Sequence, residues 1–237
     1  PTSPDPVQSS LRITELMFNP RGDEGFEFIE IQNVGNQAVD LREVHLSEGV
    51  EFSFAGSEVE ELAAGEFVLV LRNAPAFAAR YDTTGLLIAG EYSGRLSNGG
   101  EQLTLSFGSA ETVLDFEYDD QWYPAADGKG LSLVIRDPLG PVESWSDPAS
   151  WRLSNTRDGS PGSEDAQEAG GSQLPGDIAQ DGSLNITDAV VHLRHLFGGA
   201  TRPLPCADGV FEHPSNLALL DVDGDFLPRL QPLEVSR

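Results

Sequence analysis

Between Asp177 and Asp188, in the stretch GDIAQDGSLNITDAVVHLRHLF, oxygen-bearing side chains recur at the spacing a hard divalent cation requires. Read as a cation-binding loop, Asp177 takes position one, Asp181 five, Ser183 seven, Asn185 nine and Asp188 twelve, with Gly182 at the sharp turn of position six. Ca²⁺ takes roughly six to eight oxygens, so Asp177, Asp181 and Asp188 would supply carboxylates and Ser183 its carbonyl. Asn185 would bind directly or through water. Ala179 stands where another ligand is wanted, and losing one oxygen weakens binding by roughly ten-fold or more. Extracellular calcium sites operate at Kd values of roughly 10⁻⁴–10⁻³ M, so weak Ca²⁺ binding is the expectation. The competing reading is an Asx-rich turn that caps the following helix without metal.

A second acidic run, LLDVDGD, sets Asp221, Asp223 and Asp225 at alternate positions. Phe226 then replaces the turn glycine and a proline-containing tail follows, so these residues are expected to contribute less as ligands. On the helix after the first loop, Val190, Leu193 and Phe197 fall on one face and are expected to pack inward with Leu184. His192 and His195 with the distant Cys206 make a poor zinc set without a fourth ligand, and read as exposed polar positions. Cys206 is the single cysteine, so no intrachain disulfide can form.

The elements that carry this loop follow an all-β chain. Apolar runs such as LRITELMF, FEFIEIQN, AVDLREVHL, FVLVLR, EQLTLSF and LSLVIR are separated by turn signals. Period-two alternation gives a strand one buried face, so two sheets must pack together; FVLVL lacks alternation and suits burial on both sides. PAFAARYD is the one helix-like piece before the linker, with Pro75 in its first turn. Residues 1–10 read as a Pro- and Ser-rich linker from a longer protein, 11–165 as the sandwich, 166–174 as a second linker and 175–237 as the calcium unit. The expected fold is therefore mainly β, an immunoglobulin-like β-sandwich with a small C-terminal α-helical calcium-loop unit.

These residues carry two resemblances. LRITELMFNP, EFIEIQNVGNQAVDLREVHLSEGVEFSF, LAAGEFVLVLRNAPAF, LSNGGEQLTL, YPAADGKGLSLVIRDP and SWSDPASWRLSNTRDGSPG together resemble the lamin-tail domain in its bacterial branch. That resemblance implies an immunoglobulin-like module without catalytic residues, attached to other domains outside the cell. The acidic loop and helix resemble the first half of a dockerin-type module, itself similar to half an EF-hand. The resemblance implies two calcium loops, the second incomplete here.

Charge narrows the partners. The formal net charge is −25, from 39 Asp+Glu against 14 Lys+Arg, and Lys129 is the single lysine. Such a surface repels nucleic-acid phosphates and anionic lipid, and no apolar run approaches the roughly 20 residues needed to span a bilayer. Nucleic-acid binding and membrane insertion are therefore not expected. The acids Asp23, Glu24, Glu27 and Glu30 read as a solvated face rather than a second cation site. Trp122, Tyr123, Trp145 and Trp151 could form a sugar platform, but large aromatics are more often buried, so core packing is expected. His45 and His213 are isolated, and Glu27 and Glu30 point to opposite sides of a strand, so no catalytic residues are assigned. The function expected is a non-catalytic extracellular or cell-surface module that binds a protein partner or a surface or matrix component. The alternative is a carbohydrate-binding accessory module of a secreted enzyme, with polysaccharide as its partner.

Overall fold

The computed structural model describes residues 6–109, 111–165, 178, 185–197 and 216, with side chains of the last helix described through 194. The chain divides into two compact units, Pro1–Ala166 and Gln167–Arg237.

In the first unit the order is α1 (Pro6–Ser10), β1 (Leu11–Met17), β2 (Phe28–Asn33), β3 (Val39–Asp40), β4 (Val44–Ser47), β5 (Val50–Ser53), β6 (Glu61–Leu62) and β7 (Phe67–Leu71). Helix α2 (Ala74–Arg80) follows, then β8 (Ile88–Glu91), β9 (Ser93–Gly94), β10 (Glu101–Phe107), β11 (Glu111–Tyr118), β12 (Leu133–Ile135) and β13 (Trp151–Leu153). A six-stranded sheet runs β13-β12-β1-β2-β7-β8 and a five-stranded sheet β11-β10-β4-β5-β9, with β3 and β6 as a separate pair. Neighbours are antiparallel except β7 and β8. This mainly β arrangement is consistent with the immunoglobulin-like sandwich implied by the sequence.

Local chemistry explains the elements. Asn73 caps α2, its side chain accepting from Ala76 N–H at 2.8 Å, and Pro75 occupies the first turn, where a missing N–H costs nothing. The run Ala38–Leu46, expected as one strand, is broken because its halves join different sheets. β3 pairs with β6, β4 pairs with β5 and β10, and between them Val44 N–H donates to Leu41 O at 2.8 Å. Residues 6–10, within the expected linker, instead form α1 and bury Val7 and Ser10. In the turn before β10, Gly100 has φ +93°, and a Cβ there would collide with the carbonyl oxygen of Tyr118.

Two cores result. Between the sheets, Phe116 on β11 stacks on Trp151 of β13 at 5.5 Å, and Phe18 lies against Tyr118 at 5.2 Å. On the opposite face of the six-stranded sheet, Met17, Phe28, Leu69, Leu71 and Phe77 form a second cluster, covered by Tyr81, Leu86 and Ile88. The alternating runs of β1 and β2 imply one buried face each, but both strands are buried on both faces, as is most of β7. Helix α2 and the segment after β13 supply the extra layer. Trp145 and Trp151 are fully buried, their indole N–H groups donating to Ile13 O at 3.0 Å and Trp145 O at 2.7 Å. Trp151→Ala is expected to cost about 3–5 kcal/mol in a denaturant melt. A chain ending at Tyr118 lacks β12, β13, Trp145 and Trp151, and should lose the cooperative β-type transition expected of a chain ending at Ala166.

Candidate functional site

Of the expected calcium ligands, Asn185 and Asp188 are described, at the start of helix α3 (Ile186–Phe197). Asp177, Asp181, Ser183, Asp221, Asp223 and Asp225 lie outside the described residues, as do Cys206 and His213. Asn185 Oδ1 accepts from Thr187 N–H at 2.8 Å, and Asp188 Oδ2 accepts from Asn185 N–H at 2.9 Å. Asp188 N–H donates back to Asn185 O at 3.2 Å. This is a reciprocal capping arrangement, and it places a carboxylate beside the positive end of the helix dipole. Chemically, it fixes the last part of the loop to the first turn of the helix. Among the described residues, no three His, Cys, Asp or Glu side chains come together to hold a metal.

The orientation of α3 differs from expectation. Val190 and Leu193, expected to point inward, are 42% and 55% exposed, and Ile186 on the same stripe is 81% exposed. The covered side instead carries Asp188, only 4% exposed, with Val191 and His192 half-buried one turn on. Residues three and four apart share a helix face, so burying Asp188 turns the apolar stripe outward.

In the sandwich, the candidate sugar platform comes apart. Trp145 and Trp151 are core residues, Trp122 is half-buried, and the Tyr123 hydroxyl donates to Trp151 O at 2.8 Å. His45 stands opposite Ser53 across β4 and β5 and lines an open polar depression with Arg42 and Glu43. Arg42 is committed to Asp40, at 2.5 Å, and its hydrogen bonds hold that carboxyl down to about 2.

The expectation of a solvated acidic face holds for Asp23 and Glu24 but fails for Glu27 and Glu30, which are 0% and 2% exposed. Glu27 accepts from the Tyr92 hydroxyl at 2.7 Å and from Leu96 N–H at 3.0 Å, and lies 3.9 Å from Arg72. Burial raises its pKa against these stabilising contacts, and burial beside Glu27 raises that of Tyr92. Glu30 Oε1 pairs with the Thr14 hydroxyl at 2.7 Å, and Oε2 accepts from Gly162 N–H at 2.7 Å. Directly across the strand pair from Glu30 is Glu15, 1% exposed, which the sequence reading does not single out. Glu15 accepts from the Ser132 hydroxyl at 2.5 Å, from Ser160 N–H at 3.0 Å and from the Ser160 hydroxyl at 3.0 Å. The available signal is an acid in the middle of each of two apolar strands, ITELM and FIEI. Every one of these carboxylates holds separate parts of the chain together.

Residues 4–119 match the family model described as Lamin Tail Domain, so the chain contains a lamin tail domain, a non-catalytic module. None of the curated proteins matches the chain. The match ends one residue beyond β11, whereas β12, β13, Trp145, Trp151 and Ser160 continue the same compact unit.

The capping geometry generates a direct test. Asn185→Ala removes the acceptor for Thr187 N–H and should destabilise α3 by about 1 kcal/mol. Because the cap uses only protein groups, circular dichroism of the full chain should show reduced helicity even with a chelator present.

Proposed function

We propose that the chain is a non-catalytic extracellular or cell-surface module, in which the sandwich acts as a spacer or adhesion surface and the C-terminal unit as a calcium-dependent anchoring element. The observation that carries this reading is the use made of polar groups inside the sandwich. Glu15, Glu27 and Glu30 each engage hydroxyl or backbone N–H donors that tie strands to loops, leaving them in structural service rather than poised at an open cleft. The lamin tail domain at residues 4–119 supports the same reading.

The calcium part rests on the ligand spacing from Asp177 to Asp188. A net charge of −25 favours cations and cationic surfaces and opposes nucleic acid. The partner class is a protein or a component of a surface or matrix, with polysaccharide less favoured because Trp145 and Trp151 are committed to the core. Among the described residues, no helix is long and apolar enough to cross a membrane.

Calorimetric titration of the full chain with Ca²⁺ tests the anchoring element. Binding is expected in the range of roughly 10⁻⁴–10⁻³ M, tightened by Ala179→Asp and nearly abolished by Asp188→Ala. At a ten-fold excess of Ca²⁺ over Kd, linkage adds about 1.4 kcal/mol of stability to the unit that binds it. Absence of any calcium heat at millimolar concentration would reduce the motif to a helix cap.

A further inference from the structure

The segment Gly159–Asp165 crosses the outer face of the six-stranded sheet as a strap, and its anchors are carboxylates rising from the sheet beneath. Glu15 on β1 and Glu30 on β2 are cross-strand partners, so their side chains leave the sheet on one face. Glu15 holds Ser160 through both its N–H and its hydroxyl, and Glu30 holds Gly162 N–H. The strap lies so close that a Cβ at Gly159, where φ is +80°, would collide with Glu15 Oε1. Among the described residues, no Lys, Arg or His pairs with either glutamate.

The surrounding charges do not relieve the pair. Asp165 on the strap adds a further negative charge, though it is itself bound to Arg152 of β13 at 2.5 Å. Asp158 is paired with Arg80 of α2 at 3.2 Å and accepts the Tyr81 hydroxyl at its carbonyl, at 2.8 Å. The neighbours on β1 and beside β12, Thr14 and Ser132, are neutral hydroxyls. Two adjacent buried carboxylates without a cation cannot both be ionised cheaply, because each charge is taken out of water and set beside its like.

We infer that Glu15 and Glu30 form a proton-operated latch, closed over the sheet while the pair retains a proton and opened at the strap when both carboxyls ionise. A protonated Glu30 can donate from Oε1 to Thr14 Oγ1 while Oε2 still accepts Gly162 N–H, so the closed geometry accommodates the proton. Opening occurs around Ser160 and Gly162 rather than in the sheet, because β1 and β2 are central strands held on both sides, whereas these two residues are held to the sheet by the carboxyls themselves. The end of the strap stays tied through Asp165 to Arg152 and to Asn155 N–H. Burial raises the Glu15 carboxyl to about 7, and burial together with Glu15 raises Glu30 well above the ordinary range. Both folded-state shifts are upward from 4.5. The latch therefore contributes fully below about pH 4.5 and is lost as pH rises through about 7, by up to about ten-fold per pH unit for each proton released.

Hydrogen exchange on the full chain, corrected for the intrinsic pH dependence of exchange, reads the opening at Ser160 and Gly162 amides. Opening should be at least about ten-fold greater at pH 8 than at pH 5.5, with Ile31 and Val70 in the central strands unchanged. Glu30→Gln retains an acceptor for Gly162 and a donor for Thr14, so it should keep the strap closed and flatten the pH dependence. Equal opening at both pH values in the wild type, or full pH dependence retained in Glu30→Gln, would overturn the latch. Should that variant fail to fold, ¹³C titration of the wild-type carboxyls decides the matter. At least one of Glu15 and Glu30 should titrate above about pH 6, and titration of both below about pH 5 refutes the proposal.

Discussion

Strands β1 and β2 sit in the middle of the six-stranded sheet with neither face open to water, and that double burial sets the terms for what packs around them. One face is sealed by the five-stranded sheet. The other needs a cover, and a seven-residue helix, the loop through Leu86 and the strap after β13 provide it. The geometry of the second cover follows the pleat. Met17, Phe28 and Leu71 form one row across β1, β2 and β7, and Glu15, Glu30 and Leu69 form the next. The first row receives Phe77 and Tyr81, while the second receives the backbone of Ser160 and Gly162.

Placing two glutamates in a buried row has a consequence for how the unit is held. Apolar packing alone would leave their oxygens unsatisfied, at a cost of several kcal/mol each. The strap meets that demand with N–H and hydroxyl donors, so the segment that leaves the sandwich is tied to its central strands. A structural role thereby acquires a dependence on protonation that neutral side chains would not create. Glu27 shows the contrast: Arg72 stands 3.9 Å away, and its hydrogen bonds run to Tyr92 and Leu96 rather than to the strap.

The proposed function joins a sandwich module to a loop proposed as a cation site on the spacing of its oxygen-bearing residues. The sandwich offers a buried core and, in a chain of net charge −25, an acidic surface. Asn185 and Asp188 offer a reciprocal cap that ties Asn185 to the first turn of α3. The outward apolar stripe of Ile186, Val190 and Leu193 belongs to the second unit and has no counterpart in the sandwich, where the described large apolar residues other than Leu139 are covered.

Much of this architecture was legible in residue order. Alternation in EQLTLSF, the unbroken FVLVL and the Asn73–Pro75 start of α2 each reflect a local rule, because strand and helix periods and end-capping depend on neighbours in sequence. The lamin-tail resemblance likewise lay in turns and apolar runs. Other features depended on contacts between distant residues and had no local signature. The break at Leu41 arises because β3 and β4 find partners in different sheets. Glu30 reads as a surface acid until Glu15 across the strand and Gly162 far along the chain close over it. Nor does sequence decide which side of α3 is covered: its apolar stripe satisfies the helical period, yet Asp188 occupies the buried side. Sequence determined which segments could be strands and helices, since those preferences are local; tertiary structure decided which faces met, and with them which charges lost their water.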